Sequence, residues 1–131
     1  MKILTLNIPQ EFFDDIIAGI AKYEAREIRA KIARKYVCHI DNKGVIYEND
    51  TDVPEGVQTE VVPIKYDAIQ LYAGCKTEKD SALIRVEKSE IIFMLDDNGE
   101  PIQYVHEGRE YLETAIVYHL GDIIEKAILK R

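Results

Sequence analysis

The architecture of this chain can be inferred from Tyr66-Asp-Ala-Ile-Gln-Leu-Tyr-Ala-Gly74 and Ser81-Ala-Leu-Ile-Arg-Val-Glu-Lys-Ser-Glu-Ile-Ile-Phe-Met-Leu95. Both segments are rich in β-branched and aromatic residues, which favour strands. Further strand-prone segments lie at residues 2–7, 22–28, 36–40, 57–64, 102–105 and 115–124, although residues 25–31 could also form a helix. Asn98-Gly99 predicts a hairpin turn, and Gly121 is expected at a bulge in the last strand.

Only one segment has apolar residues at helical spacing. Pro9 suits a first helical turn, and Gly19 is expected to mark the helix end. The apolar residues that recur at helical spacing, and that we expect to face the core, are Phe12, Phe13, Ile16, Ile17 and Ile20. Since no helix alternates with each strand, the pattern favours an α+β fold. We expect about six to seven mostly antiparallel strands in a closed or half-closed barrel.

The chain of 131 residues and 15.0 kDa has the length of one domain, so we predict a single domain over residues 1–131. No apolar run approaches the roughly 18 residues of a membrane span, and Met1–Asn7 is more typical of a strand than of a signal peptide. Cys38 and Cys75 alone cannot form a disulfide framework or a zinc quartet. These features predict a protein of the reducing cytoplasm.

Charge is unevenly distributed along the chain. The net charge is −7, which argues against non-specific binding of nucleic acid by the whole surface. Residues 22–35, the basic segment, contain six basic and two acidic residues and carry a charge of +4. Residues 48–60, the acidic loop, contain five acidic residues and no basic one. The basic segment could hold one anionic ligand locally, although both segments could equally be solvated faces.

Glu24 and Arg26 are the most suggestive pair in the basic segment. Two residues apart on a strand, they project to the same side. The guanidinium of Arg26 could hold a phosphate or a base edge, and the carboxylate of Glu24 could accept from an amino or hydroxyl group. The alternative is an ordinary surface pair that contributes about 0.2–1 kcal/mol.

The segment around this pair resembles the signature of the ASCH domain family, in which glycine, any residue, lysine, two residues, glutamate, any residue and arginine follow one another. Gly19, Glu24 and Arg26 match, whereas Ala21 occupies the lysine position and Lys22 follows it. Residues 65–74, 82–87 and 117–124 also resemble the strands of bacterial and phage members.

The resemblance implies a PUA-like β-barrel with helices closing its ends, a cleft between them, and RNA or nucleotide-like ligands. Some small members are amidohydrolases that deacylate N4-acylated cytidine nucleosides with a lysine, a hydroxyl residue and a glutamate. Here Ala21 stands at the lysine position and Glu24 at the hydroxyl position. Glu24 and Lys22 are therefore the only candidates for catalysis, and an enzymatic activity is left open.

Three functions follow from these observations. The first is binding of RNA or a nucleotide-like ligand in a cleft, with Lys22, Glu24, Arg26, Arg29 and Tyr66 as its contacts. Tyr66 could stack on an unpaired base, although a tyrosine on a strand also packs in a core with its hydroxyl outward. The second is nucleoside amidohydrolysis, and the third is binding of a protein partner by the acidic loop.

Metals and cofactors are not expected. His39, His106 and His119 lie far apart in the sequence and lack a paired ligand spacing. Cys75 has no sign of an activating base beside it and is predicted to be an ordinary thiol in a polar loop at residues 75–80.

Overall fold

The computed structural model describes residues 1–74 and 78–129. Its strands are β1 (Ile3–Ile8), β2 (Tyr23–Ile28), β3 (Val37–Asp41), β4 (Ile46–Tyr47), β5 (Thr59–Pro63), β6 (Ala68–Ala73), β7 (Ser81–Phe93), β8 (Gln103–His106), β9 (Arg109–Leu112) and β10 (Thr114–Ala127). One α-helix, α1 (Gln10–Ile17), and two 3₁₀ turns, Ala33–Lys35 and Asp50–Asp52, complete the described secondary structure. Cys75, and with it the prediction of an ordinary thiol, lies outside the described residues.

The described residues are therefore mostly β with one helix, as the sequence predicts, but they contain ten strands rather than six or seven. These strands form a five-stranded sheet of order β1-β6-β7-β10-β2, a three-stranded sheet of order β4-β3-β5, and the hairpin β8-β9. The largest sheet has β1 and β2 at its edges, so it is open. A closed barrel is not confirmed for the part of the chain that the structure describes.

The chain divides into two compact units. The first unit comprises Met1–Glu24, Lys65–Ser89 and Tyr118–Arg131, and the second comprises Ala25–Ile64 and Glu90–Val117. The prediction of one domain over the whole chain stays a prediction.

The first unit is built on β1 and β6, which pair in parallel. Leu4, Leu6 and Ile8 alternate with exposed residues along β1 and are almost fully buried. The helix α1 begins after Pro9 and buries Phe13 and Ile16. Its predicted end is confirmed, because the left-handed φ of +76° at Gly19 follows the last turn. The expectation that Phe12 and Ile20 also face the core is wrong, since they are 53% and 75% exposed and Ile20 lies beyond the end of the helix.

Gly121 lies within β10 and allows a close approach of β7. A Cβ at this position would lie 2.7 Å from Oε1 and 2.8 Å from Cγ of Glu87. Since real Cβ atoms essentially never approach other atoms so closely, glycine leaves the space that the Glu87 side chain occupies.

The second unit contains two antiparallel assemblies. β3 pairs with β4 and with β5, and the hairpin β8-β9 pairs His106 with Arg109 across a two-residue turn. The turn residues Glu107 and Gly108 both have positive φ, at 50° and 78°. This is the backbone of a type I′ turn, which matches the twist of a hairpin.

Candidate functional site: an aromatic cavity beside the basic segment

The basic segment begins as a strand, as predicted. Along β2, Glu24 and Arg26 are half-buried and Ile28 is buried, while the intervening residues are exposed. Glu24 and Arg26 therefore share the more buried face of β2, which confirms the alternation inferred from the sequence. Glu24 belongs to the first unit and Arg26 to the second.

The other predicted contacts are also divided between the units. In the first unit, Lys22 is exposed and its backbone carbonyl accepts a 2.9 Å hydrogen bond from the N–H of Leu120. Tyr66 is half-buried, with the ammonium of Lys2 5.7 Å from its ring centroid. In the second unit, Arg29 forms a 3.0 Å ion pair with Glu27. Because Arg29 is 69% exposed, this ion pair is solvated and contributes little to stability.

A cavity of about 520 Å³ lies entirely within the second unit. Its volume falls in the usual range of small-molecule sites, roughly 300–1,000 Å³. Most of its wall is apolar, with Ile28, Val37, Val61, Ile91, Phe93 and Leu112 among the lining residues. Ala30 and Ala33, both from the basic segment, also line it. The cavity therefore borders the cationic part of the chain.

Two stacked tyrosines form the aromatic wall of this cavity. Tyr104 on β8 and Tyr111 on β9 face each other across the hairpin, with ring centroids 5.5 Å apart and planes 23° apart. The hydroxyl of Tyr104 accepts a 3.1 Å hydrogen bond from the N–H of Ala30. The hydroxyl of Tyr111 donates a 2.9 Å hydrogen bond to Asp50. The two hydroxyls thus fix the hairpin to both the basic segment and the acidic loop.

Asp50 is shared by two donors of β9. Its Oδ2 accepts from the Tyr111 hydroxyl at 2.9 Å and lies 3.4 Å from Nη1 of Arg109. Burial of the phenol and the hydrogen bond to Asp50 raise the pKa of Tyr111 above its usual value of 10.0. At neutral pH the Tyr111 hydroxyl is therefore protonated and acts as the donor.

The polar part of the cavity wall is rich in acceptors. Its polar lining residues are His39, Glu48, Asn49, Asp50, Glu110 and Thr114, besides the two tyrosines. Among the described residues that line the cavity there is no lysine and no arginine. The interior therefore suits an uncharged group with hydrogen-bond donors better than it suits a phosphate.

The acidic loop is more ordered than the sequence indicates. Asp50–Asp52 form a 3₁₀ turn, in which the Asn49 side chain donates a 3.1 Å hydrogen bond to Asp52. Asp50 is turned towards β9 rather than presented on an open acidic face. Tyr104 and Tyr111 were not predicted from the sequence, and Asp50 was predicted only as one acid of the acidic loop. The available signal was the pair of tyrosines placed symmetrically about Glu107-Gly108.

Two histidines among the described residues lie close to aromatic rings. His119 contacts Tyr23 edge to face, with ring centroids 4.9 Å apart, and His106 lies 6.4 Å from the ring of Tyr111. Within residues 1–74 and 78–129, no group of three or more His, Cys, Asp or Glu side chains is placed to hold a metal ion. No helix in that part of the chain combines the length and the apolar character needed to cross a bilayer.

No family model, no curated protein and no solved structure matches this chain. Membership of the ASCH family therefore stays a prediction based on the sequence motif.

Proposed function

We propose that this chain binds RNA or a nucleotide-like ligand through its second unit, with a base in the cavity and the phosphate at the basic segment. The observation that carries the proposal is the stacked pair Tyr104 and Tyr111, which lines a cavity of about 520 Å³. Aromatic side chains provide stacking surfaces for unpaired bases, each worth about 1–3 kcal/mol.

The basic segment supplies the charge that the cavity interior lacks. Ala30 and Ala33 line the cavity. Lys31 and Arg34, the residues that directly follow them in the sequence, are exposed. A ligand that enters base first could therefore leave its phosphate near these two cations. Attraction between phosphates and exposed lysine and arginine is the part of binding that salt weakens.

An ASCH-like domain with a PUA-like barrel is the family and fold that we propose with this function. Its support is the motif Gly19, Glu24 and Arg26, of which the last two share one face of β2. Lys22, Glu24 and Tyr66 belong to the first unit. That these three residues, and Arg26 and Arg29, contribute to ligand binding stays a prediction, which substitution of each residue in a binding assay would test.

The two alternative functions stay predictions. Deacylation of N4-acylated cytidine would depend on Glu24 and Lys22, since Ala21 offers no functional group at the family's lysine position. For the acidic loop as a protein-binding surface, the engagement of Asp50 by Tyr111 and Arg109 favours a role inside the second unit instead.

Fluorescence polarisation with labelled single-stranded RNA of mixed sequence tests the proposal. We expect saturable binding that weakens as salt rises. Replacing Lys31 and Arg34 together by alanine is expected to weaken it and to flatten the plot of log K against log salt by about 0.7 per lost contact.

Lys43→Ala is the matched control, because Lys43 is an exposed lysine of the same unit that, unlike Lys31 and Arg34, is not adjacent in the sequence to a residue lining the cavity. The proposal is contradicted if no saturable binding occurs at low salt. It is also contradicted if Lys43→Ala weakens binding as much as removal of Lys31 or Arg34 does.

A further inference from the structure

We infer that the cavity selects a base with an exocyclic amino group, such as cytosine or adenine, over the oxo counterparts uracil and hypoxanthine. This inference rests on the proposed function and adds the chemical class of the base. It depends on the position of one carboxylate, that of Asp50, relative to the aromatic wall.

Asp50 has one oxygen engaged and one available. Its contacts with Tyr111 and Arg109 both involve Oδ2. Within residues 1–74 and 78–129, no hydrogen bond reaches Oδ1 of Asp50. Because a carboxylate has about four acceptor positions on its two oxygens, Asp50 can still accept from a ligand.

The hydrogen bond from Tyr111 places this acceptor at the edge of the stacking surface. Asp50 lines the cavity and lies 2.9 Å from the hydroxyl at the end of the Tyr111 ring. A base stacked on that ring extends parallel to it, so the edge of the base comes near the carboxylate. Two donors hold the carboxylate in place, which limits the ordering that a ligand would have to impose.

At the exocyclic position of a base, a carboxylate distinguishes an amino group from an oxo group. It only accepts hydrogen bonds, so it pairs with the amino group of cytosine. A carbonyl oxygen at the same place has no proton to offer and faces like charge. The ring N–H of uracil or hypoxanthine, one atom further along the edge of the base, is the competing donor. Glu48 and Glu110 also line the cavity. They add to the preference for donor-rich groups.

The test is a titration of the full chain with four nucleotides, followed by NMR chemical shifts because affinities for single nucleotides are low. The ligands form two matched pairs, cytidine and uridine monophosphate, and adenosine and inosine monophosphate. Within each pair the sugar and phosphate are identical, so their contributions cancel. We expect the amino member of each pair to bind at least about fivefold more tightly.

Asp50→Asn assigns the preference to this side chain. The amide keeps an oxygen that can accept from Tyr111 and adds a donor for carbonyl groups, so the ratio within each pair is expected to fall close to one. Asp52→Asn is the matched control, because Asp52 lies in the same 3₁₀ turn but does not line the cavity. That variant should keep the wild-type ratio.

The outcomes separate this inference from the proposed function. Equal binding within both pairs, or tighter binding of the oxo members, overturns the inference but leaves nucleotide binding intact. A preference that survives Asp50→Asn overturns the role of Asp50. Absence of saturable binding for all four nucleotides and for RNA overturns both proposals. The wild-type comparison decides the preference even if Asp50→Asn does not fold.

Discussion

The hydroxyl of Tyr111 lies 2.9 Å from Oδ2 of Asp50 and joins two residues that are 61 positions apart in the sequence. This contact ties the hairpin β8-β9 to the 3₁₀ turn at Asp50–Asp52. Both residues line the same cavity. The hydrogen bond therefore positions the aromatic wall and the nearest acceptor together.

Removing this hydrogen bond should destabilise the protein modestly. We predict that Tyr111→Phe lowers the free energy of unfolding by about 0.5–1.5 kcal/mol, because the ring stays and only the hydroxyl is lost. Urea denaturation measures the change. Tyr72→Phe on β6 is the control, since no polar contact of its hydroxyl occurs among the described residues. An equal loss in both variants would contradict the importance of the Asp50 contact.

The contribution of the Tyr111 hydroxyl should disappear at high pH. Its pKa in the folded protein is raised above 10.0, mainly by burial and then by Asp50. A raised pKa means that the stabilisation is complete below the unfolded-state pKa and is lost as pH rises through the folded-state pKa. The stability difference between wild type and Tyr111→Phe should thus be constant near neutrality and shrink above about pH 10.

Tyr47 is a second tyrosine whose ionisation changes the stability at high pH, so the experiment must compare wild type with Tyr111→Phe at each pH. Burial and the neighbouring carboxylate of Asp41 also raise the pKa of Tyr47. Both wild type and Tyr111→Phe retain Tyr47, so its contribution cancels. A stability difference that stays constant or grows above pH 10 would show that the Tyr111 phenol is not stabilised in its protonated form.

Asp80 is predicted to stabilise the first unit. It is only 3% exposed, and it accepts hydrogen bonds from Nε2 of Gln10 at 2.9 Å and from the N–H of Leu129 at 2.8 Å. Asp80→Ala should lower the free energy of unfolding by about 1–3 kcal/mol, because two hydrogen bonds to a buried carboxylate are lost. Thermal or chemical unfolding measures it.

Asp14→Ala is the control for Asp80, because the exposed Asp14 accepts from the same Gln10 amide, also at 2.9 Å. Its expected effect is within about 0.5 kcal/mol, as for other surface substitutions. Comparable losses in the two variants would argue that burial of Asp80 does not determine its contribution.

Gly121 and Glu87 should be energetically coupled. Gly121→Ala places a methyl group where the exposed side chain of Glu87 lies, so Glu87 must leave its rotamer and we expect a loss of about 0.5–1 kcal/mol. In a Glu87→Ala background the same change should be neutral or stabilising by about 0.5 kcal/mol, because alanine restricts the unfolded chain. A double-mutant cycle in urea measures the coupling, and an identical loss in both backgrounds would rule it out.

Local patterns in the sequence predicted the local structure well. The alternation of residues 22–28 predicted β2, and Pro9 and Gly19 bracketed α1. By contrast, β9 was missed, because Glu107-Gly108 is a type I′ turn without the usual asparagine-glycine signal. The predicted turn at Asn98-Gly99 is present, but only the bridge between Leu95 and Pro101 flanks it.

Contacts between distant residues could not be read from periodicity. The parallel pairing of β1 with β6 joins residues that are 65 positions apart in the sequence, such as Ile3 and Ala68, and no local signal specifies it. The cavity likewise depends on Tyr104 reaching Ala30 and Tyr111 reaching Asp50. Sequence reasoning therefore identified the basic segment but not the aromatic wall beside it.

Comparison of Tyr111→Phe with Tyr111→Leu in the RNA polarisation assay tests the central claim most directly. Both variants lose the hydrogen bond to Asp50, and only the leucine variant loses the aromatic face. We predict that Tyr111→Leu binds RNA about 5- to 100-fold more weakly than Tyr111→Phe, as expected for the loss of one stacked base. Equal affinity of two folded variants would contradict base stacking in this cavity.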